Sequence, residues 1–300
     1  MLSPPPVSCL VYTLNEEVNL AHCLDSLGWC DDVVVIDSFS TDRTESIALA
    51  GGARFVQHEF TGFGDQRNWS LAEVALKHPW ALILDADERV PAGLVADMAA
   101  RLESAPPDVA AFRLRRRFHL WGKWLRYSSL YPTWVIRLVR VGRVRYVNRG
   151  HAETQVVDGR IDSLKEDLID ENRKGLEDWW ARQNRYSTQE AVYELSQNGA
   201  RLWHLFSADP LRRRESFKAV ARNLPARPLW YFLYAFFLRL GFLDGLDGFR
   251  FCTMKAAYQL MVVCKKRELR RAAKDFSHQP SFLPDPGERG AATRTRSSIG

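Results

Sequence analysis

Four short runs near the start of the chain are apolar almost throughout: Val7–Thr13 (VSCLVYT), Asp32–Asp37 (DVVVID), Ala53–Gln57 (ARFVQ) and Trp80–Asp85 (WALILD). Compact β-rich runs without polar alternation predict strands buried on both faces, as in a parallel sheet. Between them, Glu16–Leu27, Asp42–Ala50 and Asp65–Lys77 read as helices. Ser40-Thr41-Asp42 and Asp65 supply N-cap chemistry, and Gly51-Gly52 supplies a stop. Strand–helix alternation of this kind predicts an α/β fold, a mostly parallel sheet with helices on both faces.

The pattern changes after Pro106-Pro107. Ala111–Phe118 (AFRLRRRF) and Trp134–Arg140 (WVIRLVR) alternate apolar with basic residues, the period of half-exposed strands in a mixed sheet. From Leu176 to Leu195 the spacing turns helical, with Trp179, Trp180, Tyr186 and Val192 near one stripe. Pro228–Gly241 (PLWYFLYAFFLRLG) is apolar and aromatic, and Gln279–Gly300 is too rich in Pro, Gly, Ser, Thr and Arg to predict fixed structure. The expected division is residues 1–106, 107–200 as the second half of the same domain, a helical region over 201–278, and a disordered tail over 279–300.

Charge sharpens this division. Residues 201–274 carry 16 Lys/Arg against 5 Asp/Glu, so the rest of a chain of formal charge +6 is acidic by 5. A basic C-terminal third on an acidic body argues against nucleic acid as a partner and suits an anionic membrane surface or a phosphate. Five scattered cysteines without a C-x-x-C pair predict neither zinc nor a disulfide framework, and favour a reduced, cytosolic compartment. The N-terminus has no Lys or Arg before its short apolar run and makes a poor signal peptide.

The sharpest chemical feature is Asp85-Ala86-Asp87-Glu88, directly after WALIL. Ligands of open parallel sheets bind beyond the carboxyl ends of the strands, and two carboxylates two residues apart there can reach one hard divalent cation and the phosphates it carries. The bland alternative is a polar strand end with a helix cap. Three more polar turns follow strands: Thr13-Leu14-Asn15-Glu16-Glu17, Asp37-Ser38-Phe39-Ser40-Thr41-Asp42, and Gly62-Phe63-Gly64-Asp65-Gln66-Arg67-Asn68, whose Arg67 can meet a phosphate. Each alone reads as capping. Four on one sheet edge do not.

These residues resemble a known family. VYTLNEEVNLAHCLDSL, VVVIDSFSTDRT, GFGDQRNW and LILDADERV look like successive motifs of the family-two glycosyltransferases, in the branch of lipopolysaccharide-core and exopolysaccharide sugar transferases. Gly150-His151, Asp170-Glu171-Asn172-Arg173-Lys174, Gln183-Asn184-Arg185-Tyr186-Ser187 and Gly241-Phe242-Leu243-Asp244-Gly245 extend the likeness to about Lys265. The resemblance implies a GT-A fold, a nucleotide-sugar donor with a lean toward UDP, Mg²⁺ or Mn²⁺, and inversion at the anomeric carbon. It implies that Thr13, Asn15, Glu16, Asp37, Ser40, Arg67 and Asp85 line the nucleotide-sugar site, Asp37 at the base, and that Asp87 with Asp85 holds the metal. The position of Asp170 is often His in that family, so a role resting on an imidazole does not carry over.

An inverting transfer also needs a general base for the acceptor hydroxyl. Glu153 is the first candidate and Asp170 the second, with Glu171 behind them; His151 reads as a metal or phosphate neighbour or a structural histidine. Pro228–Gly241 is too short to span a bilayer, and Arg212–Arg214, Lys265–Arg267 and Arg270-Arg271 flank it. The bland alternative for this stretch is a buried core helix. Interfacial docking is expected over it, placing the protein on the cytoplasmic face of the membrane with a lipid-linked saccharide acceptor. A Gly-rich loop after the first strand, which a pyrophosphorylase or a dinucleotide oxidoreductase needs, is missing. The remaining competitor is a catalytically silent membrane-surface scaffold.

Overall fold

Val7–Thr13 is buried at every position and forms β1, the strand around which the sheet is built. The protein, seen in a computed structural model, is described over residues 4–149, 152–196 and 224–277, and at Asp209, Arg213, Ser216, Val220 and Arg222 between them. His151, Arg212, Arg214 and the tail beyond residue 278 lie outside the described residues.

β1 lies between β2 (Val33–Asp37) and β4 (Trp80–Asp85), with β3 (Arg54–Gln57) beyond β2, all parallel. Alternate side chains of these strands feed two cores. Val7, Cys9, Val11, Leu82 and Leu84 meet Leu20, Cys23, Leu94 and Met98, from the helices α1 (Leu20–Asp25) and α4 (Ala92–Glu103). Leu10, Tyr12, Ala81 and Ile83 face the other way, onto Trp69 and Leu71 of α3 (Phe63–Glu73). With each strand apolar on both faces, helices are needed on both sides.

Beyond β4 the sheet becomes mixed. β8 (Thr133–Arg140) is antiparallel to β4, β6 (Val109–Leu120) antiparallel to β8, and β11 (Arg160–Asp170) parallel to β6. β5 (Glu88–Arg89) closes the order on β11, pairing Glu88 with Asp170. β5 follows β4 after only two residues, so the Asp85–Glu88 turn is carried across the sheet end to Asp170. β9 (Val144–Arg149) and β10 (Ala152–Val157) form a separate antiparallel pair.

The first predicted helix is shorter than its pattern. Its leading residues are drawn into a turn instead: Asn15, Glu16 and Glu17 donate their N–H groups to Ser40, Thr44 and Asp42 at 2.7, 2.8 and 3.0 Å. The helix therefore begins at Leu20.

The C-terminal region packs through α5 (Gly175–Ser196), whose Ala191 meets Tyr258 and Val262 of the long helix Gly245–Ser277. Pro228–Gly241 forms the short helix Arg227–Leu233, a wider turn over Tyr234–Leu238, and a break at Leu240, where φ is 61°. The chain then bends by 72° into the long helix. A Cβ on Gly248 would sit 2.2 Å from the carbonyl oxygen of Gly241, so only glycine lets the bend close this tightly. Asp244 locks it to the sheet domain, accepting from the N–H groups of Arg126, Tyr127 and Ser128 and from the Ser128 hydroxyl, at 3.2, 3.0, 2.7 and 2.7 Å. Among the described residues no single helix is long and apolar enough to cross a membrane.

Candidate active site

The ends of β1 and β2 carry the first group of expected site residues. Thr13 donates to Asp37 at 2.8 Å, and both the hydroxyl and the N–H of Ser40 reach the same carboxylate. Asn15, at φ 54°, caps the facing turn by accepting from the Thr41 N–H at 2.8 Å. Asp37 is fully buried and its oxygens are engaged, so in this state it orders the two turns rather than presenting a free carboxylate. Glu16 accepts from Asn19 at 2.8 Å and Lys174 at 2.6 Å; burial still raises its pKa against those two partners.

At the end of β4 the two acids of the D-x-D have separate fates. Asp85 is gripped by Arg67 at 3.0 Å and Arg137 at 2.6 Å. Burial opposes its charge, but Arg137 and then Arg67 outweigh that and hold the carboxyl well below the usual carboxylate range. Arg137 also reaches Glu88 at 2.6 Å, and Glu88 takes the Asp85 N–H at 3.0 Å; burial pushes the Glu88 carboxyl up. Asp87 receives one side-chain bond, from the Asn172 amide at 2.8 Å, and lines a cavity of about 480 Å³.

That donor set fits a hard cation in a particular way. Asp85 is already neutralised by two guanidinium groups, whereas Asp87 keeps lone pairs facing the cavity. Mg²⁺-type sites commonly use one or two carboxylates and take further oxygens from substrate phosphates. Both acids line the cavity, but only Asp87 has no cation held against its carboxylate, so Asp87 is the residue that would hold such an ion. Among the described residues no cluster of three or more His, Cys, Asp or Glu is placed to hold a metal ion by itself.

Asp170 lines the same cavity and pairs with Arg116 at 3.1 Å. Burial, then the charges of Asp87, Glu88 and Asp85, raise its pKa in spite of Arg116. Glu171 is taken by Arg89 at 2.5 Å and Arg173 at 3.1 Å. Glu153 stands elsewhere, paired with Arg67 on the wall of a second, open groove of about 1040 Å³. The two spaces share Asp85, Arg116, Gln183 and Lys255.

Arg137, Arg116, Asn172 and Lys255 were not among the expected site residues. Arg137 and Arg116 belong to the alternating strands, where basic residues read as a solvated face; Arg137 is instead buried against the D-x-D. The signal was available in principle, because three carboxylates in Asp85–Glu88 require counter-charge from somewhere. The Nε atoms of Arg67 and Arg137 are buried donors without a hydrogen-bond partner among the described residues.

Residues 8–166 match the model of glycosyl transferase family 2. The lipopolysaccharide core biosynthesis glycosyltransferase LpsC of Rhizobium meliloti (strain 1021) is 26% identical over 273 residues, 88% of this chain and 93% of that protein. An uncharacterized glycosyltransferase of Rickettsia bellii (strain RML369-C) is 24% identical over 279 residues, 88% and 86% of the two chains. Among solved structures, residues 1–349 of S. aureus TarS in complex with UDP-GlcNAc align at 17% identity and TM-score 0.41, over 83% of this chain and 90% of that one.

Proposed function

The chain belongs to glycosyl transferase family 2, and on that premise we propose that it moves a sugar from a nucleotide donor, with inversion, to a lipid-linked saccharide of a bacterial surface polysaccharide such as the lipopolysaccharide core. It is a glycosyltransferase with a GT-A-like α/β fold. The observation that carries the finer reading is the unequal D-x-D. Both acids line the cavity at the carboxyl end of the sheet, but Asp85 is held by Arg67 and Arg137, while Asp87 has only the Asn172 amide on its carboxylate.

Mg²⁺ or Mn²⁺ bound at Asp87 would neutralise charge growing on the departing diphosphate. Asn172 orients the Asp87 carboxylate by its bond to Oδ2. Thr13, Asn15 and Ser40 shape the turns that receive the nucleoside, with Asp37 as their common acceptor. Inversion requires the acceptor hydroxyl to approach from the side opposite the diphosphate. Asp170 stands on the diphosphate side, beside Asp87; Glu153 stands across Arg67 in the wide groove. Glu153 is therefore the general base, taking the hydroxyl proton on the carboxylate oxygen that Arg67 does not hold, and Asp170 is the second candidate.

The long helix supports docking on a membrane face, the cytoplasmic one in this reading. Leu246 and Phe249 are exposed three residues apart, and Leu260 and Val263 repeat that pair about three turns further along the same face, which runs on into Arg267 and Arg270. Such a stripe lies in an interface rather than across it.

The test is a donor panel led by UDP-sugars, with membrane lipid extract as acceptor and nucleoside diphosphate release as readout. Release should require both metal and extract. A protein that binds UDP with Mn²⁺ yet turns over no donor would be a silent scaffold.

A further inference from the structure

Lys255 projects from the long helix to the place where the two cavities meet, beside Arg116. Other cations around the site have carboxylate partners: Arg67, Arg137 and Lys174 hold Asp85, Glu88, Glu153 and Glu16. Lys255 has none among the described residues. The ring of Tyr258 lies against it, with the centroid 5.1 Å from the ammonium. Arg116 has one carboxylate, Asp170.

A half-buried ammonium next to a guanidinium, with no counter-ion, is held at a cost. Burial, and then Arg116, bring the Lys255 pKa down to about 8. Such an arrangement on a cavity wall is relieved when a ligand supplies the missing negative charge. The wide groove has the same sign elsewhere. Arg113 lies over the Trp134 ring at 4.7 Å with a hydrogen bond to the neutral Ser163, leaving its charge to the groove.

We propose that Lys255 and Arg116 bind an anionic substituent, phosphate or carboxylate, on the acceptor sugar close to the hydroxyl that is glycosylated. This rests on the assignment of the donor diphosphate to the Asp87 side, where a metal meets its charge, so that the anion reaching Lys255 through the open groove belongs to the acceptor.

The experiment uses the full chain in two stages. UDP with Mn²⁺ is first titrated into the protein, which tests the donor assignment alone. Glucose 6-phosphate, glucuronate and glucose are then titrated separately into the UDP·Mn²⁺-saturated protein by calorimetry. At least one of the charged sugars should bind 10-fold or more tightly than glucose, and which of the two wins separates phosphate from carboxylate. Lys255→Met should reduce that preference to near unity and Lys255→Arg should retain it, both with UDP affinity within twofold of wild type. Equal binding of all three sugars by the wild type overturns the proposal. So does a Lys255→Met variant that loses UDP affinity instead, which would hand Lys255 to the donor diphosphate.

Discussion

Asp85 and Glu153, far apart in the chain, are joined through one guanidinium: Arg67 lies 3.0 Å from Asp85 and also contacts the carboxylate of Glu153. Arg67 is buried, so the first acid of the D-x-D and the proposed base are positioned by a cation with little freedom to move.

Arg67→Met leaves Glu153 without its partner and Asp85 with Arg137 alone. Breaking a buried ion pair by removing one member costs about 3–5 kcal/mol, so a large fall in melting temperature is expected. Glu153→Gln is the gentler probe, because the amide oxygen can still accept from Arg67. It should leave UDP affinity unchanged while transfer falls by roughly 10²–10⁴, the range for losing a general base. If that variant stays active and Asp170→Asn does not, the base is Asp170.

The two acids of the D-x-D should fail differently. Asp87→Ala should abolish the Mn²⁺-dependent part of UDP binding and leave the melting temperature near wild type, because the lost protein contact is one amide hydrogen bond. Asp85→Ala should lower the melting temperature as well, since Arg67 and Arg137 lose a shared counter-ion. Calorimetric titration with UDP, with and without Mn²⁺, run beside a thermal melt, separates the two. Equal melting temperatures would contradict the division of labour.

The parallel half was legible because its strands are apolar on both faces and polar turns separate them. The expected cap Asp65 was misplaced: it falls in the first turn of α3, and Gly62, not an acid, stands at the N-cap. The acceptor side was legible only in part. Ala111–Phe118 and Trp134–Arg140 alternate and form β6 and β8. Arg160–Asp170 (RIDSLKEDLID), however, forms a strand whose polar positions face Arg113, Arg115, Arg116 and Arg117 of β6, so it shows no clean apolar period of its own. The pairs Asp87–Asn172 and Arg67–Glu153 span 85 and 86 positions, and no local pattern announces a contact of that range. Asp244 shows the opposite case. Its motif was visible, but its task became clear only when its carboxylate was found closing the loop at Ser128.

That task gives a third expectation. Asp244→Ala removes the common acceptor of three backbone N–H groups and one hydroxyl, leaving buried donors unpaired. With hydrogen bonds to charged groups at about 1.5–3 kcal/mol each, a net loss of several kcal/mol is expected for the bend and its loop. Hydrogen exchange should quicken at residues 125–128 and at the start of the long helix while β1, β2 and β4 stay protected. Uniform exchange across the sheet would mean that the domains unfold as one unit.

Lys255 adds a pH dependence with a definite sign. Its folded pKa of about 8 lies below the unfolded value near 10.4, so between these pH values the unfolded state binds more protons and stability rises with pH. Arg116 from the sheet is the charge that acts on it and Tyr258 on its own helix lies against it, while Asp170, Arg182 and Glu190 line the same two cavities. Lys255→Met should therefore melt higher than wild type at pH 7, by on the order of 1 kcal/mol after allowing for its partial exposure. The difference should shrink by pH 10. A constant difference would assign the effect to packing rather than charge.

The last expectation concerns the membrane. Phe232 and Phe236 stack on each other at 5.3 Å and meet Phe249 edge-on at 5.8 and 5.7 Å, so replacing them removes packing inside the bend. Leu246, Leu260 and Val263 are 61%, 51% and 39% exposed on the open stripe of the long helix, and substituting them tests the surface without emptying a core. Apolar burial and attraction to anionic lipid respond differently to salt, which screens charges over about 10 Å at 0.1 M and leaves the apolar contribution. Wild type should pellet with anionic vesicles at low salt and retain a smaller bound fraction at high salt. The triple Ser variant should keep the melting temperature and lose the salt-resistant fraction, whereas Arg267→Gln with Arg270→Gln should lose the salt-sensitive one. A wild type that stays in the supernatant at both salt concentrations would leave the stripe to a protein partner and remove the membrane from the mechanism.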